Sequence, residues 1–203
     1  MRTKNPDLTR SKLLEAGFHE VYEHGFRAAS LDSILERAGV TKGALYHHFP
    51  NKLALGYAIV EELIGDFMAE LLLEPLQGTD DPITALQQSG MDILAGRCAE
   101  VCSFGCPLNN LTQEMSGEDE GFRERVQAVH ERLQRGIAAA LRRGQEAGKV
   151  RAGIDPDDVA LYFLATWSGM MGVAKGSQDE ELMRRLILTG NDYLETLRAL
   201  PVH

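Results

Sequence analysis

Residues 30–52, SLDSILERAGVTKGALYHHFPNK, gather side chains suited to phosphates and base edges. Lys42 carries an ammonium that matches the O6 and N7 acceptors of guanine in a major groove. Thr41 and Ser30 offer hydroxyls to phosphate oxygens, and Tyr46 offers a phenolic donor on a stiff arm. His47 and His48 extend that aromatic run. Gly43 allows close backbone approach, and Lys52 adds a cation where free helix N–H groups favour a phosphate. Each residue also has a plain structural reading. Ser30 and Thr41 are helix N-caps with or without DNA, and His48 fits equally as a packed histidine against the first helix. Leu45 and Phe49 are the apolar positions of the same short helix, which leaves Lys42, Gly43, Tyr46 and His47 outward.

A second chemical feature is 98-CAEVCSFGCPLNNL-111, in which Cys98, Cys102 and Cys106 stand four apart. Cys106 precedes Pro107 and is placed as a helix N-cap, where helix N–H groups favour a thiolate that reacts with oxidants or electrophiles. The alternative is a small, inert, buried cysteine. The spacing lacks the Cys-x2-Cys of common zinc sites, so no metal is expected. No Gly-x-Gly-x-x-Gly, Walker loop, Gly-x-Ser-x-Gly or His-Glu-x-x-His occurs, so neither an enzyme nor a bound cofactor is expected.

The elements that must position these residues are all helical. Apolar residues recur at three and four, never in strand-like alternation. A helix over about 8–24 carries Leu14, Phe18 and Val21 and stops at Gly25. A second, capped by Ser30, carries Leu31, Ile34 and Leu35 and stops at Gly39. A third begins at Thr41, and a fourth opens at Asn51 and ends at Pro75. Asp81-Pro82 and Asp155-Pro156 each read as a cap followed by proline at the first helical position. Helices five and eight start there. A loop is expected around 97–105, unless the fifth helix continues and sets Cys98 and Cys102 on one face. The sixth starts at Cys106-Pro107, and the seventh covers about 119–147. Ser177-Gln178-Asp179-Glu180 has the form of a capping box for the ninth.

Charge supports a division of labour. The chain has 203 residues and a net charge of −9, yet residues 1–55 hold eight Lys/Arg against six Asp/Glu, net +2; the remainder holds 13 against 24, net −11. A polyanion is drawn to the first part and repelled by the rest. No apolar run approaches the roughly 18 residues of a membrane span, and no apolar leader opens the chain, so a cytoplasmic location is expected. Arg2 and Lys4 are candidates for an arm near a minor groove.

Gly25-Phe26-Arg27, Ala38-Gly39-Val40, Lys42-Gly43, Leu45-Tyr46-His47-His48-Phe49 and Asn51-Lys52, in this order and spacing, resemble the DNA-binding domain of the TetR family. The resemblance implies an all-α, nine-helix TetR-like fold. Residues 1–52 form a helix-turn-helix DNA-binding domain, and 53–203 a helical ligand-binding and dimerisation domain. It implies a transcriptional repressor that binds a double-stranded palindromic operator as a homodimer and is released by a small-molecule inducer or an electrophile. The DNA contacts it implies are Ser30, Thr41, Lys42, Gly43, Tyr46, His47, His48 and Lys52.

In the second part, Asp155-Pro156-Asp157-Asp158-Val159-Ala160 is similar to the family's eighth helix. Pairing of helices eight and nine with their copies gives Trp167, Gly169, Met171, Leu186, Tyr193 and Leu197 as dimer contacts. Candidate ligand or sensor residues are Cys106, Phe104, Met115, Tyr162, Trp167 and Met170. GCPLNNLTQEM is similar to a subgroup in which a cysteine at this place senses electrophiles or oxidants, with Pro107 and Asn109 as departures. Two alternatives stay open: non-covalent ligand binding with inert cysteines, and a helical interaction protein that binds no DNA.

Overall fold

The computed structural model describes residues 6–199, and the proposed arm at Arg2 and Lys4 lies outside them. The described residues form nine helices. α1 is Pro6–His24, α2 Leu31–Ala38 and α3 Lys42–His48. α4 runs as Lys52–Ala58, a π-helical stretch Ile59–Ile64 and Gly65–Leu72. α5 comprises Pro82–Gly96 and, after a break at Arg97, Cys98–Phe104; α6 is Pro107–Met115. α7 is Glu120–Glu146, α8 Pro156–Ser177 and α9 Glu180–Glu195. At 1.5 Å per residue α7 is about 40 Å long.

Most boundaries follow local chemistry. Ser30, Thr41, Asn51, Asp81 and Asp155 each cap a helix by accepting from a backbone N–H of its first turn. Two expectations are corrected. The segment expected as a loop at 97–105 is largely helical, because no glycine or proline interrupts Cys98–Phe104 and Val101 and Cys102 turn into the core. The cap of α9 is Asp179, whose carboxylate accepts from the Glu181 and Leu182 amides, while Ser177 is the last residue of α8. A carboxylate at the positive helix end outcompetes a hydroxyl two residues earlier.

Packing divides the chain into two compact units. Of the described residues, one holds 6–67 together with Pro107–Val129. Its core contains Leu13, Ile34, Leu45, Phe49, Leu55 and Phe122, all buried. The other holds Met68–Cys106 and residues 130–199, around buried Ile83, Leu86, Leu133, Ile137, Leu141 and Ile187.

The first unit is closed by an aromatic cluster. The Phe26 and Phe122 ring centroids are 4.6 Å apart and Tyr57 lies 5.1 Å from Phe122, both edge-on. Gly56 makes this possible, because a Cβ there meets Phe26 at 2.4 Å and Phe122 at 2.7 Å. Gly56→Ala is therefore expected to destabilise the protein by about 1–3 kcal/mol through overpacking. The check is a urea denaturation midpoint, with an unchanged midpoint contradicting the contact.

Candidate nucleic-acid interface

α2 and α3 are held at their turn by backbone chemistry. Gly39 adopts φ 63°, a left-handed conformation that glycine enters without steric cost, and its N–H returns to the Glu36 and Leu35 carbonyls. Buried Glu20 of α1 accepts from the Ser30 amide at 3.0 Å, fixing the start of α2 on α1. Arg37 of α2 forms a two-pronged pair with Glu23, each contact 3.2 Å. α3 is anchored by wholly buried Leu45 and by Phe49, under the Arg10 guanidinium at 5.3 Å. Arg10 is itself paired with Glu62, which raises its pKa and lowers that of the carboxyl.

This packing leaves one face of α3 in solvent. Thr41, Lys42, Gly43, Tyr46 and His47 are exposed, Tyr46 by 46%. Ser30 and His48 are half-buried. His48 lies edge-on to His47 at 5.1 Å, so it sits at the rim of α3. A short helix with a cation, a phenol and an imidazole outward, and no side chain at Gly43, suits the floor and walls of a major groove.

Lys52 has a different setting. Its ammonium donates to the Arg27 carbonyl at 3.2 Å and lies 4.9 Å from the Phe26 ring centroid. Burial lowers its pKa, opposed by the Glu114 and Glu20 carboxylates. Lys52 therefore ties α4 to the turn after α1, with further N–H donors available to a phosphate.

That turn has a second anchor which sequence reading missed. The Glu114 carboxylate of α6 accepts from the Phe26 and Arg27 amides, both at 2.8 Å. Gly25 has φ +84°, and a Cβ there meets Glu114 Oε2 at 2.9 Å. Nothing local marks Glu114, because its partners lie 87 and 88 residues away. Nearby, Tyr57 donates to Asp119 at 2.8 Å, which raises the phenol pKa and lowers that of the carboxyl, and Arg125 stacks over Tyr57 while pairing with Glu61.

In the second unit, Tyr162, Trp167 and Met170 of α8 border a mainly apolar cleft of about 200 Å³, with Gly90, Leu186, Asn191 and Tyr193 also in its walls. Cys106 and Phe104 are not in those walls, and Met115 is buried in the first unit. Cys106 directly precedes α6 and is buried.

Of the residues expected at a dimer contact, Trp167, Met171 and Leu197 are buried within their own protomer, which removes them from any outer surface. Leu186 and Tyr193 are half-buried and Gly169 is exposed. The apolar face left uncovered on α8 is instead Leu161, Tyr162 and Val173, each more than half exposed, beside Gly169 and Gly172, with Leu188 on α9. α8 is apolar all round, so its sequence did not show which face the protomer itself covers.

Comparison with known proteins follows the same division. The family model for bacterial regulatory proteins of the tetR family matches residues 13–59, and the tetracyclin repressor-like C-terminal domain matches residues 82–189. The chain is 33% identical over 169 residues to the transcriptional regulator AcuR of Cereibacter sphaeroides, covering 83% of this chain and 77% of that one. It is 28% identical to the HTH-type transcriptional repressor NemR of Escherichia coli, covering 85% and 87%. Among solved structures, the regulatory protein TetR from Rhodobacter sphaeroides superposes with a TM-score of 0.81 at 30% identity, over 92% of this chain and 98% of that one. The reduced form of E. coli NemR gives 0.78 at 26% identity, over 96% and 100%.

Proposed function

Because the chain belongs to the TetR family of bacterial transcriptional regulators, we propose that it is a repressor which binds a palindromic operator as a homodimer and leaves it on a chemical signal. The observation that carries this reading is the exposed face of α3, with Lys42, Tyr46 and His47 outward over buried Leu45 and Phe49. Lys42 reads bases. Thr41, Tyr46 and His47 meet the backbone beside it, and Ser30, His48 and Lys52 lie at the edge of the contact. A two-fold pair of such heads, with recognition helices about 34 Å apart, matches two half-sites one DNA turn apart. Acting on DNA places the protein in the cytoplasm.

The uncovered face of α8 supplies the pairing surface, and Gly169 and Gly172 let a second copy come close. The signal acts by favouring a spacing that no longer fits one turn of DNA, which requires different affinity for the two states. A reversible ligand occupies the cleft at Tyr162, Trp167 and Met170. It is small, since typical drug-sized sites occupy roughly 300–1,000 Å³. A covalent signal acts at Cys106, whose burial admits only compact electrophiles. Sedimentation velocity tests the pairing, with a dimer expected for the native protein and a monomer for Leu161→Glu/Val173→Glu. A monomeric native protein, or a double variant that stays paired, overturns it.

A further inference from the structure

We propose that Cys98 and Cys102 form a two-thiol site that captures monosubstituted trivalent arsenicals, independently of the DNA-binding reading. The helical stretch Cys98–Phe104 sets the two residues one turn apart on one face. Both are free thiols, and each is close enough to shift the other's ionisation. Cys98 is half-buried and so reachable by a small reagent, while Cys102 is buried. The carboxylates of Asp179 and Glu180, at the start of α9, act on the pair.

Three features select the ligand class. Among the described residues no third His, Cys, Asp or Glu joins the pair in a cluster fit for a metal ion. Arsenic(III) with one organic substituent needs only two sulfurs, since the substituent and a lone pair complete its coordination. The surroundings also disfavour reagents that need a thiolate: burial first, then the neighbouring Cys102 and Glu180, push the Cys98 thiol up to about 11. Arsenic–oxygen groups accept thiols together with their protons. In R–As(OH)2 two As–O bonds and two S–H bonds break and two As–S bonds form. Two waters leave, and arsenic stays trivalent, so no oxidant or reductant is needed.

Intact-mass measurement of the reduced full chain with phenylarsine oxide tests this. A single phenylarsenic adduct is expected that survives excess glutathione and is released by 2,3-dimercaptopropanol, as a two-sulfur chelate requires. Cys98→Ser and Cys102→Ser should each lose the glutathione-resistant adduct, and Cys106→Ser should keep it. Position 98 is half-exposed, so Cys98→Ser serves as the deciding variant if the buried Cys102→Ser fails to fold. No resistant adduct on the native chain, a resistant adduct surviving in Cys98→Ser, or one that requires Cys106 overturns the proposal.

Discussion

Phe122→Ala is expected to cost about 3–5 kcal/mol of stability, the range for truncating a fully buried aromatic. Phe122 is 0% exposed and touches the rings of Phe26 and Tyr57 edge-on. Losing it removes both ring contacts and opens a cavity beneath the turn that Lys52 and Glu114 hold. Gly56 stands where a larger residue would have to refill that space, and the backbone leaves no side chain there to do so. The cost should fall on the unit that carries α3, so the unfolding probe matters. The only tryptophan, Trp167, belongs to the other unit. Urea unfolding followed by far-ultraviolet circular dichroism should therefore show an early transition in Phe122→Ala, with Trp167 fluorescence reporting the other unit. A midpoint equal to that of the native protein contradicts the assignment of Phe122 as the keystone of this cluster.

The second large effect concerns recognition. Lys42→Ala/Tyr46→Ala should weaken operator binding by about 3 kcal/mol, on the order of a hundredfold, since one base contact and one phosphate contact are removed. Both side chains are exposed, so the protein's stability should hardly change. The two residues should differ when changed alone. Lys42→Ala should alter the preferred sequence, whereas Tyr46→Ala should weaken all duplexes alike. Lys52→Ala serves as the contrast. It should lower the slope of log affinity against log salt by about one, because one phosphate cation is lost. It should also lower stability, because the ammonium holds the Arg27 carbonyl. Titration by fluorescence anisotropy over a range of salt separates these outcomes. Equal losses on specific and random duplexes for every variant contradict the division of roles.

The parts legible in the sequence were those written in short-range chemistry. Ser30, Thr41 and Asn51 cap the helices they precede, and Gly39 takes the left-handed turn. With Leu45 and Phe49 inward, these alone fix which side of α3 faces out. Contacts between distant residues were not legible. Glu114 holds the amides of Phe26 and Arg27 from a helix far along the chain, and no periodicity or motif announces such a carboxylate. Lys52 shows the same gap, being a tether within the head as well as a surface cation. At Cys98–Phe104 helix replaces the expected loop, because Val101 and Cys102 are buried. On α8, Trp167 and Met171 were covered within the protomer while Leu161 and Val173 were left out.

Selection of bound duplexes from a randomised library tests the central claim most directly, with the native protein and Lys42→Ala/Tyr46→Ala run in parallel. The native protein should enrich an inverted repeat whose half-site centres lie about 10 base pairs apart, one DNA turn, and the variant should lose that enrichment. Failure of the native protein to enrich any inverted repeat at low salt, or the same enrichment by the variant, would contradict recognition through α3.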